Sequence, residues 1–124
     1  MSWTITPTEQ WVKDKKWYNK KKPKVLAALL NNLNRYLEQL NNAKDPVLVQ
    51  AGYIHPEPHG VVALDQKGSG QKLEETRMYL YPDRVEKVVY LITIGNKATQ
   101  TADIQFCSAW VAENFPPAPR EGGK

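Results

Sequence analysis

The sequence predicts an α+β domain: a helical hairpin at the N-terminus and a third helix at the C-terminus, covering one face of a small antiparallel β-sheet. Three observations predict it. Apolar residues from Lys24 to Leu40 recur at helical spacing, residues 74–95 hold two strand-like runs joined by a turn, and a last helical pattern runs from Ile104 to Phe115. At 124 residues, 41% hydrophobic and 24% charged, the chain has material for one folded core and not for two. Residues 1–115 are expected to form a single domain and 116–124 a disordered tail, because Pro116-Pro117 stops the last helix.

Taken in order, Trp3-Thr4-Ile5 is a short β-prone segment suited to a sheet edge. Thr6-Pro7-Thr8-Glu9 then reads as a helix start, with Thr6 as cap, Pro7 at the first helical position and Glu9 completing a capping box. This helix runs through Trp11, Val12, Trp17 and Tyr18 and loses its pattern at Lys20-Lys21-Lys22, and Pro23 opens the next one. Leu26, Leu29, Leu30, Leu33, Leu37 and Leu40, three and four residues apart, mark one buried stripe on that second helix. Two helices joined so closely form an antiparallel hairpin whose leucine stripe packs on the sheet.

Val47-Leu48-Val49 is either a short strand or an apolar anchor under a loop. In Tyr53 to Gly60 two prolines oppose regular pairing, and Val61 to Asp65 follows as a strand. Glu74 to Tyr81 alternates in period two, placing Thr76, Met78 and Leu80 on one face and Arg77, Tyr79 and Tyr81 on the other. Pro82-Asp83 opens a turn, and Lys87 to Gly95, β-branched and aromatic, is a central strand. Sequential antiparallel pairing is the expected order. Thr101 or Asp103 caps the last helix, whose Ile104, Cys107, Trp110, Val111 and Phe115 keep helical spacing.

Charge is unevenly spread. Residues 1–44 carry nine Lys or Arg against three Asp or Glu, a local +6, and residues 45–124 carry eight against ten, a local −2. A basic N-terminal part suits a polyanion such as RNA or an acidic protein, the plain alternative being a solvated lysine-rich helix face. No apolar run approaches the ~20 residues of a membrane span. The start MSWTITPTEQW lacks the basic and apolar parts of a secretory signal, and the lone Cys107 offers neither an internal disulfide nor a zinc set, so a cytoplasmic protein without metal or cofactor is expected.

The order helix, helix, strand, strand, strand, helix, with Thr76-Arg77-Met78-Tyr79 on one strand, Val88 to Gly95 on the next and Lys97-Ala98-Thr99-Gln100-Thr101 after it, resembles the RelE/ParE toxin superfamily, its HigB-like and phage-related members included. The resemblance spans roughly residues 8–112. It implies the toxin of a type II toxin–antitoxin pair, which in this superfamily either cuts messenger RNA, often on the ribosome, or poisons DNA gyrase, and is neutralised by a cognate antitoxin. Arg77 matches the strand arginine that contacts the phosphate in RNA-cutting members, and Lys97 matches a basic position after the last strand. Asp103 stands near where some ribosome-dependent members place a tyrosine or other late catalytic residue, and His55 and His59 stand where several relatives offer lysines. The expected function is a metal-independent endoribonuclease. The alternative is a non-enzymatic relative that binds gyrase or only an antitoxin.

RNA cleavage through the ribose 2′-hydroxyl needs a proton acceptor and cations for the charge on the phosphate. Arg77 and Lys97 are the candidate cations, and His55 or His59 the candidate base, because histidine titrates near neutral pH. Tyr79 and Tyr81 could stack on unpaired bases, while Gln100 and Lys20, Lys21 and Lys22 complete the candidate RNA-contacting set. For Arg77 the plain alternative is a cross-strand ion pair with Glu75 or Asp65.

Overall fold

The computed structural model describes residues 2–43 and 45–116. Five strands and three helices succeed one another as β1 (Thr4–Pro7), α1 (Glu9–Lys21), α2 (Pro23–Ala43), β2 (Ile54–Pro56), β3 (Val62–Asp65), β4 (Thr76–Asp83), β5 (Val88–Asn96) and α3 (Gln100–Asn114). The sheet runs β1-β5-β4-β3-β2. Strands β3 to β5 pair antiparallel with their sequence neighbours, as expected, β2 adds an antiparallel edge to β3, and β1 lies parallel to β5, so the sheet is mixed.

The parallel strand moves the helix start. Because Thr6 and Pro7 pair with Tyr90 and Leu91, their backbone is extended, and Thr8 takes the role expected of Thr6. Thr8 Oγ1 accepts from the Trp11 amide at 3.1 Å and donates to the Ile92 carbonyl at 2.8 Å, so one side chain caps α1 and ties it to β5. Beyond β1 the free edge of β5 is covered by α1 itself, whose Asp14 carboxylate accepts from the Ile94 amide at 2.9 Å and the Thr93 hydroxyl at 2.5 Å.

Helices α1 and α2 form the expected hairpin. The leucine stripe, with Tyr36, packs against Leu64, Met78, Leu80, Val89, Leu91 and Ile94 in the main core. Helix α3 does not share that face, contrary to expectation. Its Cys107 and Val111 pack on Val61, Ala63, Tyr79 and Ile92, residues that alternate with those of the main core along their strands. In β5 the alternation is reset by a bulge: Leu80 pairs with Leu91 and Tyr79 with Thr93, leaving Ile92 as the extra residue.

Several local expectations also shift. Residues 54–56 do pair despite Pro56, as an edge strand, where proline is tolerated. Val47 and Leu48 belong to a 3₁₀ turn over Pro46–Leu48 capped by Asp45, with Val49 buried behind it, so no strand forms there. Strand β4 continues through Pro82 to Asp83, and the turn lies at 84–87, where Lys87 takes φ 57. Before α3, Asn96 caps a 3₁₀ turn (Lys97–Thr99) in a reciprocal box with Thr99, so the helix begins ahead of the expected Thr101 or Asp103. Most of the expected disordered tail, 117–124, lies outside the described residues. No described helix is long and apolar enough to cross a membrane.

Candidate functional site

Arg77 sits on β4, opposite Asp65 of β3 on one side and Gly95 of β5 on the other. Alternation puts its side chain on the α3 face with Tyr79. Its side chain is 18% exposed, and its guanidinium lies 3.4 Å from the Glu57 carboxylate and 3.9 Å from that of Glu75. The contact with Glu75 is therefore present, but along the chain and not across strands, and Glu57, which the sequence did not suggest, is the nearer partner. Among the described residues the Arg77 Nε has no hydrogen-bond acceptor.

Asp65 serves another residue. Its buried carboxylate lies 2.7 Å from His55 Nε2, accepts from the Lys67 amide at 2.8 Å and has Lys67 Nζ at 3.9 Å. An ionised carboxylate only accepts, so His55 donates to Asp65 from Nε2. The side chain is 28% exposed and held by Asp65 at Nε2. His55 pairs across the strands with Ala63, and Ala63 with Tyr79, so His55, Asp65 and Arg77 share one sheet face on three adjacent strands. Asn32 of α2 fixes the end of β3 by donating from Nδ2 to the carbonyls of Asp65 and Lys67, both at 2.8 Å.

The start of α3 closes the other flank. A Cβ on Gly95 would stand 1.8 Å from Asp103 Oδ2 and 2.6 Å from Thr99 Oγ1, so the bare glycine is what lets this helix seat opposite Arg77. Thr99 Oγ1 donates to Asp103 Oδ2 at 2.7 Å. Burial raises the Asp103 carboxyl above the usual carboxylate range, the Thr99 hydrogen bond pulls it back, and the nearby Asp14 adds to the rise. Burial also pushes the Cys107 thiol up to about 12, with Asp103 and Glu57 adding to it, so this cysteine is a packing residue and no nucleophile.

The other candidates are more scattered. Lys97 is exposed just past the end of β5, two residues beyond Gly95, the residue that pairs with Arg77. Gln100 is half-buried at the first position of α3. His59 is exposed in a left-handed conformation (φ 63) and makes no hydrogen bond or ion pair among the described residues. Tyr79 is fully buried under α3, which raises its phenol well above the ordinary value, so its ring is closed to any base and the expected stacking role is withdrawn. Tyr81 is half-buried, with its ring 4.9 Å from that of Phe115 and 6.5 Å from that of Trp110; α3 has taken up much of the surface a base would use. Lys20 and Lys21 are exposed at the end of α1 and Lys22 pairs with Glu74, so all three belong to the hairpin and not to the Arg77 cluster.

A separate apolar cleft of about 550 Å³ lies between the 3₁₀ turn at Pro46–Leu48 and the β4–β5 turn. Tyr36, Val49, Val61 and Val85 line it, and Glu57 stands at its border. Among the described residues no group of three His, Cys, Asp or Glu could hold a metal ion.

Glu57 and the pairing of Asp65 with His55 were not readable in the sequence. Strand alternation could have put Asp65 on the face of Arg77, but only the register of the edge strand β2 brings His55 to it.

Neither family models nor curated proteins give a match to this chain. Among solved structures, a doubly substituted variant of the E. coli toxin RelE in its free state superposes with a TM-score of 0.52 at 15% identity, over 93% of this chain and 100% of that one. With three helices on a five-stranded mixed sheet, and that superposition along nearly its whole length, the protein has a RelE-like α+β fold.

Proposed function

We propose that the protein is the toxin of a type II toxin–antitoxin pair and a metal-independent endoribonuclease acting on messenger RNA, free or on the ribosome, with a cognate antitoxin as its protein partner. The observation that carries this reading is the His55–Asp65 pair on the same sheet face as Arg77. His55 Nδ1 takes the proton of a ribose 2′-hydroxyl as its oxygen attacks the adjacent phosphorus; the bond to the 5′-oxygen of the next nucleotide breaks, that oxygen takes a proton from water and leaves as a hydroxyl, and a 2′,3′-cyclic phosphate remains. Arg77 and Lys97 stabilise the charge on the phosphate oxygens, Arg77 after its guanidinium exchanges Glu57 for the phosphate. Gln100, at the first turn of α3 and three residues after Lys97, is the neutral donor assigned to the same phosphate.

The test is cleavage of a defined RNA with and without ribosomes by the wild-type protein, an Arg77→Ala, Lys97→Ala double variant, and His55→Ala. Loss of a positioned base lowers the rate by roughly 10²–10⁴-fold. Equal rates in all three proteins would overturn the assignment.

A second reading, a non-enzymatic binder of gyrase or of an antitoxin, is favoured by the two carboxylates within 4 Å that already occupy the Arg77 guanidinium. Growth arrest on expression with intact RNA and damaged DNA supports a gyrase poison. No arrest supports a purely binding protein.

A further inference from the structure

Helix α1 carries an outward face that the Arg77 cluster does not use. Trp11 and Tyr18 point it into the core, and Asp14 spends its carboxylate on the β5 edge. At about 100° per residue, Lys13, Lys16 and Lys20 fall within about 40° of the direction opposite that buried side, spread over roughly 10 Å of axis. All three are exposed, and none has an ion-pair partner among the described residues. Residues 9–24 hold seven lysines against Glu9 and Asp14; Lys22 pairs with Glu74 and Asp14 is turned to the sheet, so within this segment Glu9 alone is left to offset the other six.

Beside this stripe stands Trp17, 49% exposed. Its ring is held from below by buried Tyr18, edge to face at 4.9 Å and 75°. A large aromatic left half in water is costly unless something covers it, and one fixed by a buried neighbour offers a flat surface without further ordering. Lysines at helical spacing around a supported tryptophan match an unpaired nucleic-acid strand, with phosphates on the ammonium groups and a base on the indole. An acidic peptide would use the lysines and gain nothing specific from the ring, and a double helix would leave the ring no unstacked base.

We propose that the outer face of α1, through Lys13, Lys16, Lys20 and Trp17, is a binding site for single-stranded RNA, distinct from the Arg77 cluster on the α3 face. It rests on the RNA-directed reading of the protein but not on cleavage: the strand is gripped here and presented to the other side of the sheet.

The experiment is fluorescence anisotropy of a labelled, uncleavable 2′-O-methyl oligouridylate of twelve nucleotides between 50 and 200 mM salt, with the full chain. Removing three phosphate contacts flattens the slope of log K against log salt by about 2, at roughly 0.7 per contact, in a Lys13→Gln, Lys16→Gln, Lys20→Gln variant. Trp17→Ala weakens binding roughly 5- to 150-fold and leaves the slope unchanged. Both variants alter exposed positions, and unchanged melting temperatures confirm that they fold. Wild-type affinity and slope in the variants overturn the site, as does equal competition by polyglutamate together with indifference to Trp17→Ala, which would make the face an acidic-protein surface. Binding with these signatures by a protein that cuts nothing would uphold the site and reject the nuclease.

Discussion

A methyl group on Gly95 is the sharpest probe of how α3 is seated against the strand that carries the site. Gly95→Ala would put a Cβ 1.8 Å from Asp103 Oδ2, where ordinary contact begins near 3.4 Å, so that oxygen must retreat by about 1.6 Å. Rotating Asp103 away breaks its 2.7 Å bond from Thr99, a charged hydrogen bond of about 1.5–3 kcal/mol. Rotation alone is not enough. Thr99 Oγ1 would itself be 2.6 Å from the new carbon, and Thr99 is locked to Asn96 by the capping box, so the first turn of α3 has to shift. Against this stands a gain of about 0.4–1 kcal/mol from the stiffer unfolded chain. The expected net cost is about 2–3 kcal/mol, or a fall of roughly 6–15 °C in melting temperature for a chain of this size. Urea and thermal unfolding, followed by tryptophan fluorescence and circular dichroism, measure it. In the double-mutant cycle, adding Asp103→Ala to Gly95→Ala recovers at least about 1 kcal/mol relative to its effect in the wild type. A Gly95→Ala protein as stable as the wild type, or a cycle with no coupling, would refute the reasoning.

Asp103 also sets a pH dependence. Its folded pKa lies above the unfolded one, chiefly through burial, so the folded state holds the proton more tightly and stability falls as pH rises above about 4. Asp103→Asn removes that fall, and its stability relative to wild type should climb from pH 3.5 to 7 in urea melts; parallel curves would show that the carboxyl is not strained by burial. Asn32→Ala leaves two carbonyls at the end of β3 without the donor they share, at an expected cost of about 2–4 kcal/mol by chemical denaturation. Amide exchange at Gln66 and Lys67 should speed up in that variant, and unchanged protection would mean the turn is held from elsewhere.

What the sequence made legible follows from distance along the chain. The stripe from Leu26 to Leu40 and the alternation of Thr76 to Tyr81 are carried by residues that share one element, so periodicity alone reveals them. The helix start could not be read that way. Thr6 and Thr8 are both acceptable caps, and a parallel pairing with residues more than eighty positions away decides between them. The face taken by α3 was equally hidden, since its weak amphipathic pattern fits either side of a sheet buried on both. Tyr79 suffered from this most: alternation placed it correctly beside Arg77, and the helix that covers it turned a candidate base-stacking ring into core. For Arg77 the residue type and strand position were readable, whereas its ties to Glu57 and the pairing of Asp65 with His55 depend on the register of a three-residue edge strand.

The charge around Arg77 argues for a division of labour between the two sides of the sheet. One guanidinium faces Glu57 and Glu75 within 4 Å, with the Asp65 carboxylate on the next strand and Asp103 at the start of α3. Ionised, these outnumber the arginine, and Lys67 and Lys97, both exposed, restore only part of the balance. A polyanion arriving from solution meets no net attraction there, and at physiological salt anything beyond about 8 Å is screened. The attraction has to come from the N-terminal part, where residues 1–44 carry a local +6. If the lysine face of α1 captures a strand as proposed, the local concentration of phosphate rises, and exchange of Glu57 for a phosphate on Arg77 becomes more favourable. Under that proposal the carboxylates beside Arg77 are compatible with a nucleic-acid site, because they would keep the guanidinium from holding stray anions until a strand is bound.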